Sequence, residues 1–451
     1  MRVCLLNIPW RKNNRYGVRA GSRWPFTSKP EDGGYIKYIP FPFFLAYSVS
    51  LLKSRGKDAV LIDAIARGLD EKSFLCEVLE EHSSLLVAET STPSFENDID
   101  ILFKVKQNNP GSRLALCGPH ASVYASEILA GYDFIDYVFI GEYEHTLLDL
   151  TGHFDTGRDL ESVPGLAYRS RSGVQVNRKR PAAASLDDLP WPEREEKYIY
   201  NYNDGFAGLP VPNVQMCSSR GCPFRCTFCL WPQVLYSKGA YRKRKPLNVV
   251  KEMSWLVKNF AFKAVYFDDD IFNLDKKHVS DICREIRMND IKIPWAAMGR
   301  ADLMDEKLLG LMAGSGLYAL KYGIESANPS VLRRCRKKMN LQYALKMIKY
   351  TKKIGVKTHL TFCLGLPGET KRSIQDTADF ILAANPDSLQ FSFATPFPGT
   401  ELFEYLRRKK ITFPSSWSEY DGNNRYFGAE KIMEGFDLER FKHDLGCHFN
   451  L

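Results

Sequence analysis

Residues 214–229 read VQMCSSRGCPFRCTFC, a strand-like apolar start followed by three cysteines spaced C-x3-C-x2-C. Thiolates at this spacing can ligate three irons of a [4Fe-4S] cluster and leave the fourth iron open to another ligand. A structural zinc site would need four closed ligands, usually as two pairs, and no second pair follows. The segment therefore predicts an iron–sulfur centre held by Cys222, Cys226 and Cys229.

Cys217 is the nearest further cysteine, and it leaves a second interpretation open. As a fourth ligand it would close the cluster and restrict it to electron transfer. Cys217 falls inside the predicted strand, so we interpret it as a structural residue whose side chain points into the protein. The other cysteines, scattered among apolar positions, are predicted to be buried thiols.

Six strand-and-helix units begin at residue 214 and predict a partial (β/α)6 barrel of the TIM type over residues 214–405. The cluster loop follows the first strand, so its thiols emerge at the carboxyl end of the barrel, where barrel sites are built. The predicted strands lie near 214–217, 264–268, 295–299, 318–323, 358–364 and 388–394.

The first 154 residues also alternate strands with helices, so the fold class is predicted to be α/β with an N-terminal Rossmann-like, doubly wound domain. Ligands of such sheets bind beyond the carboxyl ends of the strands. Residues 155–213 are predicted to be an interdomain connection with two short strands, and 406–451 a C-terminal cap or tail. The five predicted strands of the N-terminal sheet are Val3–Leu6, Ala59–Ile62, Leu85–Ala88, Leu114–Cys117 and Tyr137–Ile140.

With these residues in view, the sequence resembles the radical S-adenosylmethionine (SAM) family. Together with the N-terminal domain it is similar to the cobalamin-binding class, and in particular to class B methyltransferases, up to about residue 405. Besides the cluster loop, the motifs that carry the resemblance are FDDDIF (267–272), GRAD (299–302), GIES (323–326), GLPGE (365–369) and PFPGT (396–400).

The resemblance implies that the open iron binds SAM and that an electron from the cluster breaks SAM into methionine and a 5'-deoxyadenosyl radical. Arg300 would pair with the SAM carboxylate, a task suited to a guanidinium. Glu325 and Ser326 would bind polar atoms of SAM, and Phe228 with the backbone around Asp269 would hold the adenine and amino groups. For Arg300 and Glu325, a structural ion pair is the alternative.

The resemblance also implies a cobalamin site at the carboxyl edge of the N-terminal sheet. None of the eight histidines has an aspartate two residues before it, so the D-x-H-x-x-G cobalt-ligand pattern is absent. Cobalt would therefore bind without a protein histidine below it. His120 and the glycines could equally be ordinary turn residues. The implied contacts are Ser91, Thr92 and Pro93 for the nucleotide tail, and Gly118, Pro119, His120, Gly141 and Glu142 for the corrin.

The two implied cofactors lead to one hypothesis for the reaction and three alternatives. The leading hypothesis is methylation of an unactivated carbon by way of the deoxyadenosyl radical and methylcobalamin. A cyclisation or rearrangement without methyl transfer would use the same cofactors. RNA modification is disfavoured, because no RNA-binding module and no second cysteine triad is present. The electron-transfer interpretation needs Cys217 as a ligand.

The implied partners are a small-molecule, lipid or peptide substrate and an external low-potential electron donor of the flavodoxin or ferredoxin type. Nucleic acid is not expected, because the net charge of +9 comes from separate basic runs that we interpret as solvated surfaces. Tyr420, Tyr426 and Phe427 are predicted as substrate contacts or core residues.

The N-terminus lacks a signal-peptide pattern, and this predicts a cytoplasmic protein. The most apolar segment, 41–52, is shorter than the ~20 residues that a membrane-spanning helix needs, so no membrane span is expected.

Overall fold

The computed structural model describes residues 1–12, 15–21, 25–157, 159–183, 185–236 and 239–422. Two large sheets, one in each half of the chain, organise these residues: the N-terminal sheet is mostly parallel and the other is parallel throughout. Among the described helices, none combines the length and apolar character that a bilayer crossing requires.

The N-terminal elements begin at the second residue of the chain. The strands are β1 Arg2–Asn7, β2 Arg11–Lys12, β3 Arg15–Gly17, β4 Phe26–Thr27, β5 Tyr38–Ile39, β6 Asp58–Asp63, β7 Leu85–Glu89, β8 Arg113–Cys117, β9 Tyr137–Phe139, β10 Leu166–Ser170 and β11 Gly173–Val176. The helices are α1 Phe43–Ser54, α2 Ala64–Arg67, α3 Glu71–Glu80, α4 Phe95–Asn108, α5 Pro119–Val123, α6 Ala125–Gly131 and α7 Glu144–Thr156.

The N-terminal sheet has the strand order β11-β10-β9-β8-β7-β1-β6. Its five parallel strands follow the flavodoxin-like order 2-1-3-4-5, which confirms the doubly wound fold and puts the topological switch point between β1 and β7. The prediction of five strands is wrong in number, because β10 and β11 add an antiparallel edge to β9. Part of the predicted connection 155–213 therefore belongs to this sheet.

Both faces of this sheet are buried, which explains the nearly continuous apolar runs in its strands. Val3 and Leu5 of β1 pack on the face covered by α1, and Cys4 and Leu6 pack on the face covered by α3 and α4. The carboxyl edge of the sheet is thereby left as the place where side chains can meet a ligand.

The second half of the chain carries the other large sheet and three short strands outside it. The strands of this half are β12 Asn203–Asp204, β13 Asn213–Met216, β14 Ser219–Arg220, β15 Arg242–Lys243, β16 Ala264–Phe267, β17 Trp295–Gly299, β18 Leu317–Glu325, β19 Lys357–Leu364 and β20 Ser388–Phe393. Its helices are α8 Trp231–Val234, α9 Pro246–Asn259, α10 Lys276–Met288, α11 Glu306–Ala313, α12 Pro329–Arg334, α13 Leu341–Lys353, α14 Lys371–Ala384 and α15 Glu401–Arg408.

The second sheet pairs its six parallel strands in chain order, β13-β16-β17-β18-β19-β20. Sequential order is that of a barrel, so the predicted partial (β/α)6 barrel is confirmed. One boundary differs: β13 ends at Met216, so Cys217 is the first residue after the strand and not a strand residue.

The segment around Phe206 closes the barrel at the amino ends of its strands. Phe206 packs with Tyr266 and Ala319, and Asp204 forms an ion pair with Lys321, whose Nζ lies 2.9 Å from the carboxylate. At the last strand, the Phe393 amide donates a 3.0 Å hydrogen bond to the Gly422 carbonyl. The end of the described chain thus runs beside β20, while Tyr426 and Phe427 lie outside the described residues.

The turn after β19 contains a buried carboxyl group. Gly368 has φ +83°, as expected for a tight turn at Leu366–Gly368. The Glu369 carboxylate accepts a 2.5 Å hydrogen bond from the Gly365 amide. Burial raises the pKa of Glu369 to about 7, so this carboxyl group is protonated in the folded protein at acidic pH and ionises as the pH rises through neutrality.

We expect Glu369 to make the apoprotein less stable as the pH rises. A carboxyl group whose folded-state pKa is raised contributes stability at acidic pH and loses it as the pH rises through about 7. Glu369→Gln keeps an acceptor oxygen and cannot ionise. Relative to wild type, its free energy of unfolding should therefore rise by about 1–3 kcal/mol between pH 5 and 8. Urea unfolding at both pH values measures this difference, and identical pH slopes in the two proteins would contradict it.

Candidate metal and cofactor site

The three predicted ligands lie on the loop between β13 and α8. Cys226 is buried, Cys222 and Cys229 are half-buried, and all three thiols are free. Burial raises the pKa of Cys222 to about 11, whereas a hydrogen bond with the Cys229 thiol lowers the pKa of Cys226 to about 7. The Cys226 thiol is therefore the more easily ionised of these two.

The donor set fits an iron–sulfur cluster better than a single metal ion. No three His, Cys, Asp or Glu side chains in the described part of the chain converge tightly enough to enclose one ion. A [4Fe-4S] cluster does not need such convergence, because each thiolate binds a different iron. Three soft sulfur donors and no carboxylate in the set also match the ligand preference of such clusters.

The aspartates after β16 hold the cluster loop in place. The Asp269 carboxylate accepts hydrogen bonds from the Ser218 amide (3.0 Å) and from the hydroxyls of Ser218 (2.7 Å) and Ser219 (2.5 Å). Asp270 accepts one from the Gly221 amide (2.9 Å). The sequence predicts that the backbone around Asp269 contacts SAM. In the structure, the Asp269 side chain is hydrogen-bonded to the cluster loop.

Cys217 stands apart from the three loop cysteines. It is buried, and its thiol donates to the backbone carbonyl of Asp268 at 3.6 Å. Burial raises the pKa of Cys217 well above its ordinary value. A protonated thiol engaged with a carbonyl fits the structural role.

Arg300 lies against the cluster loop and is already paired. Its guanidinium stacks over the Phe224 ring, 4.0 Å from the ring centre. Nε and Nη2 donate to the two carboxylate oxygens of Asp302 at 3.0 and 2.8 Å, and Nη2 also donates to the Lys338 carbonyl. The structural ion pair considered for Arg300 is therefore present, at a position next to the loop.

Glu325 and Ser326 follow an irregularity at the end of β18. The pairing register with β19 shifts between Gly323 and Glu325, and Glu325 has φ +70°, which is uncommon for a residue other than glycine. Its carboxylate pairs with Lys337 at 2.8 Å. Ser326 is fully buried, and its hydroxyl accepts from the Asn328 amide at 3.2 Å. Strained backbone of this kind is concentrated at functional sites.

These side chains come together around the cluster loop. The charges of Lys337, Glu325 and Arg300 all act on the Cys226 thiol. Phe228, the predicted adenine contact, packs against an apolar cluster that includes Leu366. The structure thus brings the predicted SAM residues to one end of the barrel.

Lys337 was missed by the sequence interpretation, which took the basic runs for solvated surfaces. Lys337 is buried in its pair with Glu325, and Arg242 and Arg244 are buried in pairs with other glutamates. For these residues the interpretation is wrong, because the carboxylates that neutralise them are distant in sequence. The basic runs themselves were the single feature of the sequence that could have drawn attention to these residues.

The predicted corrin glycines adopt conformations that favour glycine. Gly118 has φ +97°, and a Cβ there would lie 2.3 Å from the Thr90 carbonyl oxygen. Gly141 has φ +80°, and a Cβ there would lie 3.0 Å from the Leu235 carbonyl oxygen. Both glycines therefore allow protein backbone to approach closely, as in the ordinary-turn interpretation.

The predicted nucleotide-tail residues form a buried patch. Ser91, Thr92 and Pro93 lie at the start of a short 3-10 helix, and His120 Nδ1 is 3.2 Å from the Thr92 hydroxyl oxygen. The Trp417 ring covers His120 at 5.1 Å between ring centres. Burial lowers the pKa of His120 to about 3, so it is neutral.

The other two predicted corrin contacts, Pro119 and Glu142, lie in different surroundings. Pro119 opens α5, directly after Gly118. Glu142, predicted as a corrin contact, pairs with two barrel arginines, Arg220 at 3.2 Å and Arg242 at 2.8 Å. Glu142 therefore forms ion pairs that join the N-terminal half of the chain to the barrel half.

Comparisons with known proteins agree with this geometry. A family model described as the radical SAM superfamily matches residues 216–381. An uncharacterized methyltransferase of Pyrococcus horikoshii is 30% identical over 400 residues, which cover 87% of this chain and 85% of the relative. The anaerobic magnesium-protoporphyrin IX monomethyl ester cyclase of Rubrivivax gelatinosus is 28% identical over 445 residues, covering 90% of this chain and 78% of the relative.

A solved structure shares the fold over almost the whole chain. It is the radical SAM methyltransferase TsrM of Kitasatospora setae with cobalamin and a [4Fe-4S] cluster bound. The match has a TM-score of 0.71 and 18% identity, and covers 94% of this chain and 87% of that one. At this identity the likeness establishes the two-domain fold.

Proposed function

This chain belongs to the radical SAM superfamily, and from that premise we propose that it is a cobalamin-dependent enzyme that methylates an unactivated carbon. One observation carries the proposal: the three-cysteine loop at the carboxyl end of the barrel forms ion pairs with the carboxyl edge of a flavodoxin-like sheet. That sheet edge is where such folds bind ligands. The methyltransferase name of the Pyrococcus horikoshii relative supports the reaction.

The two cofactors would divide the chemistry: the cluster would supply the electron that cleaves SAM to methionine and a 5'-deoxyadenosyl radical, and cobalamin the methyl group. Cys222, Cys226 and Cys229 would hold the cluster. Asp269 and Asp270 hold the loop that presents these thiols, through four hydrogen bonds. Because the loop is tied to β16 in this way, the thiols keep their positions relative to the barrel.

We propose that the SAM residues are Phe228, Arg300, Glu325 and Ser326, with the backbone around Asp269. Asp302 would orient Arg300, since it takes Nε and Nη2 and leaves Nη1 without a partner among the described residues. A guanidinium held on one edge can present the other edge to a carboxylate. The segment around Phe206 closes the far end of the barrel.

We propose the carboxyl edge of the N-terminal sheet as the cobalamin site, with Gly118, Pro119 and Gly141 lining the corrin. The tail would lie by Ser91, Thr92, Pro93 and His120. The orientation of His120 by Thr92 supports a hydrogen-bonding role for this neutral side chain. Trp417 covers the patch, so a tail bound there would contact Trp417 as well.

A second candidate function is cyclisation or rearrangement without methyl transfer. It is favoured by the cyclase of Rubrivivax gelatinosus, whose likeness spans 90% of this chain. The same residues would serve it, because both reactions begin with SAM cleavage at the cluster.

The test is an anaerobic incubation of the reconstituted protein with hydroxocobalamin, SAM and a low-potential reductant, with Cys226→Ala as control. Corrin retained through gel filtration, with both 5'-deoxyadenosine and S-adenosylhomocysteine formed, is the result expected of a methyltransferase. Retained corrin with deoxyadenosine alone would favour the rearranging enzyme. A protein that keeps no corrin would overturn the cobalamin proposal.

The remaining proposals concern partners. We propose a small-molecule substrate that binds between the cluster loop and the N-terminal sheet. The likeness to TsrM supports the small-molecule class. A lipid or peptide substrate stays an alternative. The electron donor of flavodoxin or ferredoxin type and the cytoplasmic location both stay predictions.

A further inference from the structure

Arg220 belongs to the cluster loop but forms ion pairs with the N-terminal domain. It lies two residues before Cys222, on β14. Its Nη1 is 2.5 Å from the Glu144 carboxylate and 3.2 Å from the Glu142 carboxylate. Glu142 follows β9 and Glu144 is the first residue of α7. A single loop side chain thus contacts the turn at the carboxyl edge of the N-terminal sheet.

The same guanidinium is held from a second direction by helix α1. Its central carbon lies 4.6 Å from the ring centre of Phe44 and 4.7 Å from that of Tyr47. Both distances are within the range of cation–π attraction. Arg220 is therefore fixed by two aromatic rings and two carboxylates, all from the N-terminal domain.

The ionic group around Arg220 is balanced and buried. Arg242, on the neighbouring strand β15, adds a second cation 2.8 Å from Glu142. Two arginines then face two glutamates, Glu142 and Glu144. The side chain of Arg220 is 7% exposed and that of Glu144 is 3% exposed. Charges buried to this degree are stable only while their partners stay in place, so the contact favours one relative placement of the two domains.

We propose that Arg220 is a positioning residue that sets the distance between the cluster loop and the carboxyl edge of the N-terminal sheet. The ion pair joins the two predicted cofactor sites by a short path. Arg220 is two residues from the predicted cluster ligand Cys222, and Glu142 directly follows the predicted corrin contact Gly141. The residues after the cysteines meet the same edge, because the Leu235 carbonyl lies beside Gly141. The claim that this spacing serves transfer between two cofactors rests on the proposed function.

An arginine is required at this position by geometry as well as by charge. Nη1 of the guanidinium contacts both carboxylates, while the flat face of the group stacks on the rings of Phe44 and Tyr47. A lysine ammonium would keep the charge, but it lacks the flat face that stacks on the two rings. Arg220→Lys is therefore a conservative variant that should weaken the placement without removing the cation.

The matched control is another buried arginine–glutamate pair near the same loop. Arg244 Nη1 lies 2.5 Å from Glu252, with side chains 4% and 2% exposed. Arg244 also donates to the Cys217 carbonyl and to Asn248. All these hydrogen-bond partners are in the barrel half, so Arg244→Met breaks a pair of similar burial without cutting an ion pair between domains.

The first measurement is hydrogen exchange in the cluster-free full-length protein. Arg220→Lys, Arg220→Met and Glu142→Gln should speed amide exchange both in residues 217–224 and across the interface in residues 139–147. Arg244→Met should speed exchange in 217–224 and 244–256, with 139–147 as in wild type. No cofactor is needed for this readout.

The second measurement uses the reconstituted protein with SAM, hydroxocobalamin and reductant. Release of 5'-deoxyadenosine needs the cluster and SAM, whereas S-adenosylhomocysteine forms when the SAM methyl group reaches the corrin. The ratio of S-adenosylhomocysteine to deoxyadenosine should fall about 10-fold or more in the Arg220 variants, because small displacements of reacting groups are costly. In Arg244→Met the two nucleosides should change in parallel, as general destabilisation requires.

The outcomes separate this inference from the proposed function. Unchanged exchange in 139–147 in all three variants would overturn the positioning role, whatever the nucleosides do. Faster exchange with a wild-type nucleoside ratio would leave Arg220 as a structural contact and also overturn it. If wild type forms no S-adenosylhomocysteine, the proposed methyl transfer fails, and the exchange measurement alone decides whether Arg220 sets the spacing.

Discussion

Replacing Cys226 with alanine should remove the iron–sulfur cluster and lower SAM cleavage by ~1,000-fold or more, because a cluster with two protein ligands is not retained. The same loss is expected for alanine at Cys222 and Cys229. Iron and sulfide content, the visible absorption of the reconstituted protein and release of 5'-deoxyadenosine measure it.

Cys217→Ala is the control for that experiment and decides between two interpretations of the loop. The Cys217 thiol is buried and contacts the Asp268 carbonyl, so its removal should leave the cluster content near that of wild type. A small loss of stability from the missing sulfur is expected, about 1 kcal/mol. A wild-type protein that cleaves no SAM, and that holds a cluster which Cys217→Ala loses, would instead show that Cys217 is a fourth ligand and that the protein transfers electrons only.

Gly221→Ala should disrupt the cluster loop although it leaves every cysteine in place. Gly221 has φ +95°, and a Cβ there would lie 2.0 Å from the Ala240 carbonyl oxygen. The loop would have to move, and the hydrogen bond from the Gly221 amide to Asp270 would be lost. We expect a loss of about 3 kcal/mol or more in the free energy of unfolding, and a low cluster content.

Gly355→Ala separates the steric cause from the conformational one. Gly355 has φ +82°, and an added Cβ would meet nothing within 4 Å. Its substitution carries the left-handed backbone penalty alone, about 1–2 kcal/mol. Urea unfolding of both apoproteins and iron content after reconstitution measure the difference. Equal losses in the two variants would show that the contact with Ala240 does not constrain the loop.

Much of the fold could be predicted from the sequence because it rests on local periodicity. The parallel strands of the two large sheets and the helices between them bury apolar faces, and that pattern lies in consecutive residues. The two extra strands at the N-terminal sheet edge were recognised as short strands but not assigned to the sheet. Antiparallel pairing with β9 depends on contacts with residues far away in sequence, so no local pattern reveals it.

The candidate site divides in the same way. The cysteine spacing predicts the cluster ligands, because all three thiols come from one loop and their spacing suits irons of one cluster. The roles of Lys337, Arg242 and Arg244 within the basic runs were misjudged, because a charged residue looks solvent-exposed in sequence until its partner is known. Arg220 meets Glu142 and Glu144 across 76 to 78 residues of chain.

The sequence by itself therefore determined the fold class and the barrel after an N-terminal doubly wound domain, and it predicts the cluster cysteines. All of these follow from spacing and periodicity within short stretches. The tertiary structure alone decided which charges are buried in pairs, that Asp269 anchors the loop and that Trp417 covers His120. The physical reason is that burial and pairing are properties of residues brought together by folding, and no single stretch of the chain contains both partners.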